Sequence, residues 1–279
     1  MILTAEFSAI SHERGSLSES IRWIPGPRAF QWVDILGGTL TRWYADTGLL
    51  EQRRLGAPLG CAMPIDDDRS VLAREKDLAV YDWARDSIAP LATLPVAPGT
   101  RLNDGGLCPD GSVWVGSMSE QSLPGRGRLW RVTVDGSVET VVSQATISNG
   151  LAWIDADRAV YIDTPTGRVD LIFGDGVGGW IREPFAEVPG PGWPDGLHVD
   201  SGGDVWVALW DGGRVLRFSP HGMVIEEVLV PAPRCTSVAR GGAHGELLAV
   251  TTATWGMDDS ELDMYPLSGH VLVRTIRDP

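Results

Sequence analysis

The sequence predicts an all-β protein, a six-bladed β-propeller with four-stranded antiparallel blades around a central channel, and three observations carry that prediction. Helical periodicity is scarce. Short alternating runs such as SVWVGS (112–117), RAVYID (158–163) and DVWVAL (204–209) stand instead between Gly, Asp and Pro clusters, as strands do. One plan then recurs in NDGGLCPDGSVWVG (103–116), NGLAWIDADRAVYI (149–162) and DGLHVDSGGDVWVA (195–208). Each copy opens on Asn or Asp beside glycine, continues into a small strand and a turn, and ends on a strand carrying an aromatic residue. Asn103, Asn149 and Asp195 lie 46 residues apart in succession, a period suited to propeller blades. Finally, a second half-motif follows each copy and also occurs nearer the ends, which brings the number of units to six.

Taken from the N-terminus, ILTAEFS (2–8) is a short strand able to complete the last blade. The first blade holds QWVDIL (31–36) and GTLTRWY (38–44), with Glu19 of SESIRW (18–23) ahead of them. The second is weak: KDLAVYD (76–82) is a degenerate half-motif without its glycine, and the blade (61–83) contributes no candidate ligand. Blades three to five pair the three repeat copies with GRLWRVT (127–133), GRVDLIF (167–173) and GRVLRFS (213–219). GHVLVRT (269–275) belongs to the sixth. A blade alone cannot bury both faces of its sheet, so neighbours must stack and the ring must close. Most of the 12 tryptophans, Trp43, Trp114, Trp130 and Trp206 among them, are expected between blades, where large aromatic rings contribute most to packing.

With 279 residues, 43% hydrophobic and no linker-like stretch, the chain is expected to form a single domain, residues 1–279. A net charge of −14 argues against nucleic acid and anionic membranes as partners, because phosphates call for lysine and arginine. The N-terminal MILTAEFSAI has no basic region and too short an apolar run for a signal sequence. Cys61, Cys108 and Cys235 are odd in number and form no CxxC pair, which favours a reducing compartment. The expected location is cytoplasmic.

Propeller repeats place equivalent residues around one axis. Asn103, Asn149 and Asp195 are expected in the loops entering three successive inner strands, at the same end of the channel, with Glu19 as the first-blade counterpart. Two carboxylates and two amides make an all-oxygen set suited to Ca²⁺, Mg²⁺ or Mn²⁺ rather than a thiol-seeking metal. Four capped turns remain an alternative, because Asn-Gly and Asp-Gly are common turn dipeptides. The five histidines show no ligand spacing, and His198 alternates with Leu197 and Val199 as a channel-wall or packing residue. No GxSxG elbow is present. DDDRS (66–70) and MDDSE (257–261) lack EF-hand spacing and are expected as solvated loops.

RLNDGGLCPDGSVWVGSM (101–118), ISNGLAW (147–153), YIDTPTGRVDLI (161–172) and PDGLHVDSGGDVWVALWDGGRVLRFSP (194–220) resemble the gluconolactonase/regucalcin family, also called the senescence marker protein family. The closing TTATWGMDDSELDMYPLSGHVLV (251–273) is similar to the end of its bacterial sugar-lactonase members. The resemblance implies a six-bladed propeller that hydrolyses aldonolactones with one divalent metal ion, Ca²⁺ first and Zn²⁺, Mg²⁺, Mn²⁺ or Fe²⁺ as alternatives. It further implies Glu19, Asn149 and Asp195 as metal ligands, with Asn103 as a fourth ligand or a substrate contact. Arg101 and Glu120 follow as substrate-binding residues. Where the family has Gly-Glu-x-Pro, this chain has Ser18-Glu19-Ser20-Ile21. Asp195 is then both ligand and catalytic base, activating water for attack on a sugar lactone. A non-catalytic metal- or ligand-binding propeller, or a hydrolase of other esters or organophosphates, remains the alternative.

Overall fold

The computed structural model describes residues 6–56 and 58–276, and its backbone is almost entirely strand. A short N-terminal strand, β1 (Ser8–Ala9), precedes blade one, which comprises β2 (Ser18–Ile24), β3 (Ala29–Asp34), β4 (Thr39–Tyr44) and β5 (Leu50–Arg54). Blade two follows as β6 (Leu59–Pro64), β7 (Arg69–Arg74), β8 (Asp77–Asp82) and β9 (Ser87–Thr93). Blade three is β10 (Thr100–Leu107), β11 (Val113–Ser119), β12 (Gly127–Val132) and β13 (Val138–Ala145). Blade four is β14 (Ser148–Trp153), β15 (Arg158–Asp163), β16 (Arg168–Gly174) and β17 (Trp180–Glu187). Blade five is β18 (Trp193–Val199), β19 (Val205–Trp210), β20 (Arg214–Phe218) and β21 (Val224–Leu229). In blade six, β22 (Cys235–Gly241), β23 (Leu247–Thr252) and β24 (Leu272–Thr275) are completed by β1.

All strand pairs are antiparallel, and the repeat copies fall in register with this order. The runs 112–117, 158–163 and 204–209 lie on second strands, and all six half-motifs lie on third strands, the degenerate one at 76–82 included. The ring closes where Ser8 and Ala9 pair with Val273 and Leu272. The expected closing strand therefore sits at the end of the 2–8 run, whose residues 2–5 lie outside the described residues.

Strand alternation explains how the blades stack. On β11, Val113 and Val115 pack toward blade two with Met63, Val71 and Leu102, whereas Trp114 packs toward blade four with Leu151 and Tyr161. On β19, Val205, Val207 and Leu209 face blade four, while Trp206 and Ala208 face blade six. The pattern continues around the ring, each of six apolar clusters drawing its residues from two adjoining blades. Trp43, Trp114, Trp130 and Trp206 are buried in these seams, as expected.

Of DDDRS (66–70), residues 66–68 form an exposed turn as expected, whereas Arg69 and Ser70 already belong to β7 and Ser70 is buried. MDDSE (257–261), by contrast, is no loop: it opens α1 (Asp259–Met264), where Asp258 and Glu261 form a reciprocal capping box. No helix among the described residues is long and apolar enough to cross a membrane.

Candidate active site

The four candidate oxygen ligands stand on inner strands rather than in the loops that enter them. Asn103, Asn149 and Asp195 lie within β10, β14 and β18, where the pairing register shifts between Leu102 and Gly105, Ser148 and Leu151, and Pro194 and Leu197. Such a bulge re-aims a side chain without ending the strand. Glu19 lies on β2 itself, with the same kind of shift between Glu19 and Arg22, and QWVDIL supplies the neighbouring second strand β3.

The glycines that follow are there for space, not for a turn. A Cβ on Gly150 would lie 2.7 Å from the Asp195 carbonyl oxygen, and one on Gly196 would lie 2.6 Å from Ser237 Oγ. Inner strands thus pack closely around the axis at the level of the candidate ligands. In blade two the corresponding register shift falls at Gly60, where a Cβ would lie 2.6 Å from the Asn103 carbonyl oxygen. That contact leaves blade two without room for a side chain there.

Glu19, Arg101, Asn103, Glu120, Asn149 and Asp195 all line one cavity of about 710 Å³ at one end of the channel. A run of hydrogen bonds connects four of them across three blades. Arg101 Nη1 donates to Asn103 Oδ1 at 2.6 Å. Asn103 Nδ2 donates to the Ser148 carbonyl at 3.0 Å and to Asn149 Oδ1 at 3.4 Å. Asn149 Nδ2 in turn donates to Asp195 Oδ1, and to Thr164 Oγ1 at 3.1 Å. Thr164 donates to the Pro194 carbonyl at 2.9 Å, tying the turn after β15 to the strand that carries Asp195. Glu120 is the exposed member, at the rim just beyond β11.

Glu19 accepts from the Ser20 backbone N–H at 3.1 Å, and Ser20 adopts a positive φ of 54°. The Ser20 hydroxyl accepts from Ala62 N–H at 3.2 Å, so a neighbouring blade holds this unusual conformation in place. That contact shapes the stretch of β2 where the chain departs from Gly-Glu-x-Pro.

The electrostatics are those of acids crowded together away from water. Burial, and then the negative charge of Asp104, push the Glu19 carboxyl up to about 8. Burial, followed by Glu19 and Asp104, raises Asp195 well above the usual carboxylate range. Burial also lowers Arg101, against the pull of Glu19, Glu120 and Asp195. Asp104 itself pairs with Arg22 at 3.1 Å, while its Oδ2 is buried with no hydrogen-bond partner. Both Asp104 and Thr164 escape sequence reasoning, although each sits inside a quoted motif. Asp104 adjoins Asn103 and reads as turn filler, and Thr164 matters only through the fold.

Among the described residues no three His, Cys, Asp or Glu side chains are grouped for a metal ion. A cation here would therefore draw on the Asn149 and Asn103 amides besides Glu19 and Asp195. The residues fit a hard divalent ion on that basis: the available donors are oxygens, and the neighbouring Arg101 guanidinium does not offset the burial of the two acids. His198 takes no part in the cavity lining. Burial, with Arg22 beside it, pushes its imidazole down to about 4, which keeps it neutral at pH 7.

Comparison with known proteins places the chain in a family. The family model for the SMP-30/Gluconolactonase/LRE-like region matches residues 17–254. The chain is 33% identical over 264 residues to regucalcin from Danio rerio, covering 92% of this chain and 90% of that one. It is 35% identical over 251 residues to pentonolactonase XacC from Haloferax volcanii, covering 88% and 84%. A crystal structure of the calcium-binding protein regucalcin from Agrobacterium tumefaciens superposes with a TM-score of 0.89 at 25% identity, covering 99% of this chain and 96% of that one. On the repeat, the ring and these similarities together, the chain belongs to the SMP-30/gluconolactonase/LRE-like family.

Proposed function

We propose that the protein is a metal-dependent lactonase that hydrolyses sugar lactones to aldonic acids. One observation carries this proposal: Asp195, Glu19, Asn149, Asn103 and Arg101, drawn from four blades, meet at one cavity. Relatives named as lactonases supply the substrate class, since pentonolactonase XacC is among them. Glu19, Asn149 and Asp195 hold the divalent cation, with Asn103 beside it, and calcium is the leading candidate because a calcium-binding neighbour shares the fold. Bound there, the cation supplies Lewis-acid polarisation of the lactone carbonyl and acidifies a water molecule.

The chain's own groups then account for the proton and the charge. Asp195 takes a proton from the attacking water as its oxygen bonds to the carbonyl carbon. The carbonyl electron pair moves onto oxygen, and Arg101 is positioned to offset that charge or to bind ring hydroxyls. Collapse breaks the bond to the ring oxygen, which receives the proton that Asp195 had taken. The products balance as lactone plus water giving the open hydroxy acid. Asn149 holds the Asp195 carboxylate through its amide, and Thr164 holds Asn149. Asn103 fixes Arg101 by accepting its guanidinium hydrogen bond.

The test is a panel of aldonolactones assayed with the metal-replete protein, the chelator-treated protein and Asp195→Ala. Hydrolysis that disappears with chelation and returns with added cation is expected. Unchanged hydrolysis after rigorous metal removal contradicts the metal-dependent mechanism, and saturable metal binding without turnover of any lactone points to a non-catalytic binding propeller.

A further inference from the structure

The residue that follows each repeated candidate ligand is also in register: Asp104, Gly150 and Gly196. At both glycines the next inner strand leaves no space for a side chain. Of these three blades only the third carries a carboxylate there, and Asp104 is 4% exposed. The register of β10 shifts between Leu102 and Gly105, so Asn103 and Asp104 share one bulge.

Asp104 is held through one oxygen. Its Oδ1 accepts from Arg22 Nη2 at 3.1 Å and from the Gly105 N–H at 2.8 Å. Arg22 is fixed in turn: Nη2 also donates to the Gly105 carbonyl at 3.0 Å, and Nη1 to the Ile21 carbonyl at 3.0 Å. The pair skips blade two and ties β2 directly to β10, the strands that carry Glu19 and Asn103. Oδ2, by contrast, is buried with no hydrogen-bond partner. A buried carboxylate oxygen is seldom left so, because the hydration it gave up is not replaced.

Its surroundings indicate what would complete it. Glu19 and Asp195 both feel the negative charge of Asp104, so three acids converge at this level of the channel. They call for positive charge and for hydrogen-bond donors, and a water molecule on a bound cation brings both. Asp104 does not line the cavity, and among the described residues no three acids are grouped closely enough to hold one ion directly. Contact through water satisfies both facts. We propose that Asp104 is a further residue of the cation site, its Oδ2 accepting a hydrogen bond from water on the bound ion while Arg22 aims the carboxylate. This inference rests on the cation binding proposed above for Glu19, Asn149 and Asp195, and adds a third negative charge to that site. Asp104 is a positioning residue and takes no part in the chemical steps.

Calorimetric titration of the metal-stripped full chain with Ca²⁺ and with La³⁺, in the absence of any lactone, tests it. Asp104→Gly introduces the residue that the next two blades carry. Asp104→Asn keeps the shape of the side chain and the oxygen that Arg22 contacts. Both variants should bind Ca²⁺ about 10–100-fold more weakly than the wild type. Because Coulomb attraction scales with the charge of the ion, a tenfold loss for Ca²⁺ should accompany about a thirtyfold loss for La³⁺. A residue that merely shapes the ring would weaken both ions by the same factor. Thermal melts of the metal-free variants report the fold, and where Asp104→Gly does not fold, Asp104→Asn carries the test. Ca²⁺ affinity within about twofold of the wild type in a folded variant overturns the proposal, as do equal losses for the two ions. A wild type that binds neither ion overturns the metal-dependent reading along with it. Wild-type binding that survives loss of the Asp104 carboxylate overturns this inference alone.

Discussion

Asp195 is 5% exposed, receives a hydrogen bond from Asn149 and shares its surroundings with Glu19 and Asp104. A carboxylate so placed is costly for a metal-free fold and useful to a bound cation. Glu19→Gln removes one of the two candidate carboxylate ligands, so a divalent cation at about 100 times its Kd, which stabilises the wild type by about 2.7 kcal/mol, should do so much less in the variant. Thermal melts with and without cation measure this; an undiminished shift in Glu19→Gln contradicts ligation by Glu19. A second prediction concerns His198. Its imidazole is pushed down to about 4 in the folded protein and titrates near 6.5 when unfolded. The unfolded chain therefore binds the extra proton between those values. Stability from this site is full above pH 6.5 and declines as pH falls toward 4, by up to about 1.4 kcal/mol per unit. Urea titrations across that window should show a shallower loss in His198→Gln than in the wild type.

At the scale of elements, the close approach of inner strands makes a sharp demand on their glycines. Gly60→Ala would drive a methyl group against the β10 backbone at Asn103, because the neighbouring atoms are main chain and cannot swing aside. A destabilisation of about 2 kcal/mol, seen as a Tm lowered by roughly 5 °C, is expected, with weaker cation binding because Asn103 is displaced. A Tm within a degree of the wild type contradicts the tight packing of β6 on β10. These strands also show what could be read beforehand. Asn103, Asn149 and Asp195 stand in register because their spacing matches the blade, and alternation in SVWVGS and DVWVAL tells which residues enter which seam. The bulges were not legible: Asn-Gly and Asp-Gly look alike in a turn and in a kinked strand, and only packing against the next blade distinguishes them. Trp193 and Trp255 look like seam residues in the sequence, and only their positions, at the start of β18 and beyond β23, expose them.

At the scale of the whole molecule, the site exists only because the ring is closed. Its residues come from four blades, and blade six reaches blade one through the Thr236 hydroxyl, which donates to the Ser18 carbonyl beside Glu19 at 2.5 Å. Closure within blade six depends on β1, which pairs with β24, and on Ile10, which packs with Val271 and Val273. Deleting residues 1–10 should lower Tm by roughly 5–10 °C, since it removes a buried isoleucine and the edge strand together. An unchanged melt contradicts that closure. The central claim is that this ring brings Asp195 to a lactone as the catalytic base. A pH-stat assay of acid release from an aldonolactone, comparing metal-replete wild type with Asp195→Asn at matched fold and metal content, addresses it most directly. The account predicts that kcat falls by about 10²–10⁴-fold in the variant, and retention of activity within a factor of about three would contradict it.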